Sequence, residues 1–116
     1  MSDAPILAGI NRVIDLDAAG DFEKKHTPYV SCEREGDDVK VTVEVGHWVS
    51  HPNMPDHFIE WVAVHADGAP IARFDMAAVA VKPVFTCTVT VDAGTIISVM
   101  ESCNLHGLWI AETTAP

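Results

Sequence analysis

The stretch Val39-Lys-Val-Thr-Val-Glu-Val45 alternates apolar and polar residues over its whole length. A period of two is that of a β-strand with one buried face, and Glu35-Gly-Asp-Asp38 just before it is typical of a turn. Further short apolar or alternating runs follow at Phe58–Val64, Ile71–Phe74, Ala77–Val81, Val84–Val91, Thr95–Met100 and Leu108–Ala111. About seven strands with short connections predict an all-β fold, an antiparallel β-sandwich.

The N-terminal part of the chain has a different pattern. Its apolar residues fall at spacings that place them on one face of a helix, namely Ile6, Leu7, Ile10, Val13 and Ile14. This predicts a short helix near residues 5–15. A length of 116 residues fits one domain. We therefore expect a single domain over residues 1–116, with residues 1–21 as an N-terminal extension packed on it.

Charge and composition exclude several classes of partner. Seven Lys and Arg against seventeen Asp and Glu give a net charge of −10, which repels nucleic acid and anionic membranes. The sequence contains no apolar run long enough to span a bilayer, and its start lacks the basic residues of an export signal. We expect a cytoplasmic protein, in which the three cysteines form no disulfide framework.

Four of the six histidines lie in segments expected to be loops: His26, His51, His57 and His106. Rigid β-sandwiches present functional groups on such loops, and prolines next to these histidines restrict the backbone further. His106 also completes a C-x-x-H pair with Cys103. A thiolate and imidazoles in loops predict a metal site.

The residue types limit the choice of metal. Cys and His are ligands for zinc, copper or iron, and not for magnesium or calcium. A structural zinc site closes at four ligands, whereas this sequence offers four nitrogens and one sulfur. Five candidates favour a metal that takes five protein ligands and keeps a sixth position open, and a reactive iron suits that geometry.

Three motifs, in this order and spacing, resemble those of the superoxide reductases of the one-iron neelaredoxin type, the iron-binding domain of the desulfoferrodoxin family. They are Lys25-His-Thr-Pro28, His51-Pro-Asn-Met-Pro-Asp-His57-Phe-Ile-Glu-Trp61 and Cys103-Asn-Leu-His106-Gly107. The resemblance runs from about Phe22 to Ile110. It implies an immunoglobulin-like β-sandwich that carries one iron ion per chain.

The resemblance also implies a reaction and roles for residues. His26, His51, His57 and His106 would be the equatorial iron ligands and Cys103 the axial thiolate. Superoxide would be reduced by one electron to hydrogen peroxide at ferrous iron, and the ferric iron would be reduced again by an external donor, typically rubredoxin. Family members are commonly dimers or tetramers, so a homo-oligomer is expected.

Two lysines precede the first of these histidines. Lys25 places a cation beside it and is expected to attract the superoxide anion, and Lys24 is a second candidate for this role. Most relatives carry a glutamate two residues before this histidine, where it binds oxidised iron. Lys24 occupies that position here, and Glu23 is displaced by one residue. The sequence also has three cysteines and no C-x-x-C pair, so we expect a one-iron protein without the four-cysteine iron domain of desulfoferrodoxins.

Two other classes of protein remain open on the residues alone. A cupredoxin-like electron carrier is also a β-sandwich with Cys and His ligands, but no methionine follows His106. A non-catalytic immunoglobulin-like binding module would pair Cys32 with Cys87 across the sheets, which a reducing compartment disfavours. We expect these two cysteines to be small buried apolar residues, and we assign no role to His47 or His65.

Overall fold

A computed structural model describes residues 9–116. Eight strands and one short α-helix make up the regular structure of this part, together with a 3-10 turn at Leu16–Ala18. In chain order they are β1 (Ile10–Arg12), α1 (Asp21–His26), β2 (Tyr29–Glu35), β3 (Asp38–Glu44), β4 (Ile59–Ala66), β5 (Ala69–Asp75), β6 (Val84–Thr90), β7 (Ile96–Cys103) and β8 (Gly107–Thr114).

The strands form the two sheets of a sandwich, which confirms the predicted fold class. One sheet has five strands in the order β1-β8-β7-β4-β5, and the other has three in the order β2-β3-β6. All pairs are antiparallel except β1 with β8, which is parallel. In the described part of the chain, no helix has the length and apolar character needed to cross a membrane.

The core lies between the sheets and is dominated by valine. On β3 the residues Val39, Val41 and Val43 are at most 1% exposed, while Lys40 between them faces solvent. Burying a valine side chain contributes roughly 1.5–3 kcal/mol, so this alternation fixes which face of β3 is inside. Phe74 of β5 stacks on Phe85 of β6 with ring centroids 4.4 Å apart and so joins the two sheets.

Two predicted elements are wrong. The expected helix near residues 5–15 is a strand at Ile10–Arg12 where it is described, and its residues 5–8 lie outside the described part. Here β1 pairs with β8, and the Asn11 amide donates a hydrogen bond to the Leu108 carbonyl oxygen at 2.9 Å. Ala77–Val81 is not a strand but a turn, in which Val79 has a φ of +68°.

Three connections of the sandwich meet where β4 begins and β7 ends. Ile59, the first residue of β4, pairs with Cys103, the last residue of β7. The long β3–β4 connection, the tight β7–β8 turn and the end of α1 all lie here. The histidines and the cysteine singled out from the sequence are carried by these segments.

Candidate metal centre

Five side chains converge from three segments of the chain. His26 is the last residue of α1, rather than a loop residue, while His51 and His57 lie in the β3–β4 connection. Cys103 ends β7, and His106 lies in the turn before β8. His26, His106 and Cys103 are at most 3% exposed and His51 is 9% exposed, whereas His57 is half-buried.

The distances between donor atoms are those of a metal site. One ligand atom each from His26, His57, Cys103 and His106 lies within 4.8 Å of all the others. Nε2 of His51 is 3.3 Å from Nε2 of His26, so a fifth donor adjoins this group. Nδ1 of His106 lies 3.2 Å from Nε2 of His26 and 3.7 Å from Sγ of Cys103.

Hydrogen bonds to the backbone define which ring nitrogens are available. Nδ1 of His26 lies 2.7 Å from the Phe22 carbonyl oxygen, and Nδ1 of His51 lies 2.6 Å from that of Pro52. Because a carbonyl oxygen only accepts, each Nδ1 carries the proton and each Nε2 holds a lone pair. Two lone pairs therefore face each other at 3.3 Å. A cation between them would turn this repulsion into coordination.

His57 shows the same need for a ligand. Its Nε2 is buried and has no hydrogen-bond partner among residues 9–116. A buried polar atom without a partner costs free energy, and native proteins seldom leave one. Nitrogen and thiol donors that face one another in this way fit iron, zinc or copper, and not the oxygen-seeking magnesium or calcium.

Burial keeps the imidazoles neutral, which is the form that binds metals. Loss of solvent, together with smaller effects of the neighbouring histidines and Lys25, lowers the pKa of His26 to about 4 and that of His51 to about 3. Burial and the charge of Lys25 also lower the pKa values of His57 and His106. At neutral pH no proton has to leave these rings before a cation can enter.

The thiol of Cys103 is held where backbone N–H groups reach its sulfur. Burial raises the pKa of Cys103, and hydrogen bonds from the backbone N–H groups of Leu105 and His106 lower it in part. Such donors stabilise a thiolate once a metal displaces the proton. The short C-x-x-H turn therefore orients both of its donor atoms toward the same space.

The connection that carries His51 and His57 is fixed at both ends. Gly46, with a φ of +88°, lies so close that a Cβ built on it would be 2.9 Å from the backbone N of His51. At the other end Asn104 accepts a hydrogen bond from the Phe58 N–H and donates one to the Asp56 carbonyl oxygen, each at 2.9 Å. Asn104 lies inside the C-x-x-H turn, so it joins the two histidine-bearing segments.

Two aromatic side chains that the sequence did not single out enclose the site. Trp109 stacks on His26 with ring centroids 5.0 Å apart, and its indole N–H donates to the His106 carbonyl oxygen at 3.2 Å. The ring centroid of Phe22 lies 4.8 Å from that of His26 and 4.9 Å from that of His106. Their spacing from the histidines in sequence carries no signal, because α1 meets β8 only in the folded chain.

Glu101, two residues before Cys103, is a second feature that the sequence did not reveal. It is 0% exposed, and neither carboxyl oxygen has a hydrogen-bond partner in the described chain. Burial raises its pKa well above the usual value. Burial therefore disfavours the charged form of this carboxyl group beside the site.

The residues before His26 lie on α1. Lys25 lowers the pKa of all four histidines of the site through its charge. Neither Lys25 nor Lys24 takes part in any of the ion pairs found within residues 9–116. The Glu23 carboxylate accepts a hydrogen bond from the Gly20 N–H at 3.3 Å and so caps the helix.

The remaining histidines and cysteines lie outside this cluster. His47 is exposed, stacks on Tyr29 and pairs with Glu44, and His65 is in β4. Cys32 and Cys87 are free thiols. Both are half-buried rather than fully buried as expected, and they pack against the edge of the core.

Known proteins similar to this chain include proteins named superoxide reductase. The sequence is 36% identical over 108 residues to "Superoxide reductase" of Thermococcus kodakarensis, covering 83% of this chain and 92% of that protein. The corresponding protein of Pyrococcus horikoshii is 35% identical, with 78% and 88% covered.

Solved structures show the same likeness in three dimensions. "Superoxide reductase from Nanoarchaeum equitans" has a TM-score of 0.72 and 33% identity, covering 78% of this chain and 93% of that one. "Superoxide reductase (Neelaredoxin) from Archaeoglobus fulgidus in the reduced form" has a TM-score of 0.75 and 26% identity, covering 91% and 97%.

The family of the chain decides between the classes of protein that the sequence alone left open. The family model described as Desulfoferrodoxin matches residues 18–112, which include every residue of the His and Cys cluster. Neither a cupredoxin-like carrier nor an immunoglobulin-like binding module is favoured. The protein is a member of the desulfoferrodoxin family.

Proposed function

We propose that this protein is a superoxide reductase with one iron ion per chain. The observation that carries the proposal is the convergence of buried nitrogen lone pairs on a buried thiol, with no other partner for Nε2 of His57 in the described residues. The relatives named superoxide reductase support it. The proposed ligands are His26, His51, His57, His106 and Cys103.

These five residues would hold the iron, which would supply the electron for reduction of superoxide, with two protons, to hydrogen peroxide. The chain contributes four neutral imidazoles and a thiolate that receives backbone hydrogen bonds. Phe22 and Trp109 exclude water from the side of the site formed by α1 and β8. The Cys103 thiolate would donate electron density to the metal.

Lys25 is proposed to attract the substrate anion. Its charge acts on all four histidines, and it has no ion-pair partner among the residues that the structure describes. Local attraction of this kind works against the overall charge of −10, because distant charges are screened over about 8 Å. Lys24 is a weaker candidate for the same role.

Glu23 is proposed not to serve as a sixth ligand. Its carboxylate is engaged at the start of α1 by the Gly20 N–H. Lys24 cannot replace it, because a protonated amine has no lone pair for a cation. In the ferric protein the sixth position would then be open to water, hydroxide or an added anion such as azide.

The reaction consumes an electron that the chain itself does not supply. We propose a small electron-donor protein of the rubredoxin type as the source, a homo-oligomer with edge strands available for pairing, and a cytoplasmic location. Residues 1–116 are proposed to act as one iron-binding domain, with residues 1–21 as an N-terminal extension packed on it. The pairing of β1 with β8 supports that arrangement.

The ligand set is tested by metal analysis and visible absorption. One iron per chain is expected, with a thiolate-to-iron charge-transfer band that Cys103→Ser abolishes. His47→Ala and His65→Ala are matched controls, since both histidines lie outside the cluster, and should retain the band. Loss of the band in either control would show that the ligand set is wrong.

The reaction is tested by its stoichiometry. Without a reductant, the ferrous protein should consume one superoxide per iron, form peroxide and stop. Sustained oxygen evolution under these conditions would identify dismutation and contradict the proposal.

A further inference from the structure

Asn53 lies two residues after His51 and four before His57, and its side chain leaves the β3–β4 connection to contact another segment. Its amide oxygen accepts a hydrogen bond from the Val79 N–H at 2.7 Å. Its amide nitrogen donates to the carbonyl oxygen of Val81 at 3.1 Å and to that of Val79 at 3.4 Å. One side chain thus binds the turn between β5 and β6 through three backbone atoms.

The backbone of that turn is in an unfavourable conformation at the point of contact. Val79 has a φ of +68°, a region that β-branched residues rarely enter. Its side chain is 55% exposed, so burial does not compensate for the strain. Strain of this kind persists only where surrounding contacts impose it, and the hydrogen bonds of Asn53 are such contacts.

The other anchors of the β3–β4 connection act elsewhere along it. Gly46 lies against His51 at one end, and Asn104 holds Asp56 and Phe58 at the other. Within the connection, Met54 and His57 exchange backbone hydrogen bonds of 2.9 and 3.1 Å. Asn53 therefore ties the part of this segment between His51 and His57 to the turn between β5 and β6.

We propose that Asn53 is a positioning residue: by holding the turn at Val79–Val81, it keeps His51 and His57 in the arrangement that binds iron. The inference rests on the proposed ligand set. Residues that do not bind the metal but orient its ligands contribute strongly to metal binding. Their removal typically lowers the metal affinity by about 10–100-fold. Asn53 would act in this way from its place between two of the ligands.

The central test compares Asn53→Ala with Asn11→Ala. Asn11 also donates a side-chain amide hydrogen bond to a backbone carbonyl, at 2.9 Å, but on β1. Asn53→Ala should speed the release of iron to a chelator by about 10–100-fold and should shift the charge-transfer band. Asn11→Ala should leave both unchanged. Equal release rates for wild type and Asn53→Ala, or equal acceleration in both variants, would overturn the inference.

Hydrogen exchange of the metal-free protein separates this inference from the proposed function. In Asn53→Ala the N–H groups of Met54, His57 and Val79 should exchange faster, while those of β3 stay protected. If the wild-type protein binds no iron although Asn53→Ala shows this local loosening, the metal site is refuted and the positioning contact stands. Unchanged exchange at all three N–H groups would refute the contact itself.

Two further variants keep the test informative if Asn53→Ala fails to fold. Asn53→Asp keeps the acceptor for the Val79 N–H but places an oxygen opposite the two carbonyl groups, so iron release should again accelerate. Val79→Gly retains every backbone atom that Asn53 contacts and removes the strain. Its iron release should stay within about twofold of wild type, and a larger change would show that the Val79 side chain, not Asn53, positions the loop.

Discussion

Lys25 stands one residue before a buried histidine, and its positive charge acts on the whole histidine cluster. In a chain with a net charge of −10, Lys25 places a positive charge close to the histidine cluster. Electrostatic steering of small anions depends on such local fields more than on net charge, because ions screen the distant acidic residues.

Replacing Lys25 by alanine should slow the bimolecular reaction with superoxide by about threefold to tenfold. The remaining rate should depend less on ionic strength, which rapid-mixing measurements over a range of salt concentrations would show. Lys25→Arg keeps the charge and should retain most of the rate, and Lys24→Ala should have the smaller effect. If the reaction rate of Lys25→Ala depends on salt concentration as strongly as that of the wild type, Lys25 does not attract the substrate.

At the residue scale, short spacings made the cluster predictable. H-x5-H and C-x-x-H each bring two donors together within one connection, and the resemblance joined them to His26. The role of the five residues as iron ligands stays a prediction. Phe22, Trp109 and Glu101 could not be foreseen, because their places depend on packing between distant segments and not on a local pattern.

The β3–β4 connection shows how one element is shaped around its functional groups. Gly46 has a φ of +88°, which residues with a side chain rarely adopt. It also lies so close to His51 that there is no space for a Cβ atom. Gly94 has nearly the same φ, +89°, but a Cβ there would meet nothing within 4 Å. The two glycines differ in space and not in backbone conformation.

Alanine at Gly46 and at Gly94 should therefore distinguish the effect of backbone strain from the effect of moving the His51 backbone. Gly94→Ala should lose about 1–2 kcal/mol of stability, the cost of a left-handed conformation for an L-residue, and Gly46→Ala should lose more because its methyl group also meets the His51 backbone. Only Gly46→Ala should also impair iron binding, because the new methyl group forces the His51 backbone to move. Thermal unfolding and chelator-driven iron release measure the two effects, and equal iron release from both variants would contradict this account.

Elements were predicted well where one face is buried along a whole strand. Apolar and polar residues alternate along the whole of β3 because every second side chain is buried in the core. β2 was missed because its sequence, Tyr29–Glu35, mixes charged residues with half-buried ones. The N-terminal helix and the strand at Ala77–Val81 were wrong because contacts from β8 and Asn53, far away in sequence, determine the backbone there.

The whole molecule couples its folding to the protonation of the site. His26 and His51 have folded pKa values of about 4 and about 3, against 6.5 for an ordinary histidine. Between pH 6.5 and these values the unfolded chain binds more protons than the folded one, so stability falls as the pH falls. Each such histidine adds a slope of about 1.4 kcal/mol per pH unit.

The metal-free protein should accordingly lose stability as the pH decreases from 6.5 toward 4, as urea unfolding at a series of pH values would show. Glu101 acts in the opposite direction, because its raised pKa favours the folded state at low pH. Glu101→Gln removes that contribution and should make the loss on acidification steeper. A denaturation midpoint that does not change over this range would contradict the prediction.

The stack of Trp109 on His26 gives the protein an intrinsic optical probe. Trp109 is 3% exposed and lies 5.0 Å from a proposed ligand, whereas Trp48 is 40% exposed in the β3–β4 connection. Indole emission shifts to shorter wavelength in apolar surroundings and is quenched by a neighbouring transition metal. Filling and emptying of the site should therefore be visible in the blue edge of the protein's own fluorescence, without any label.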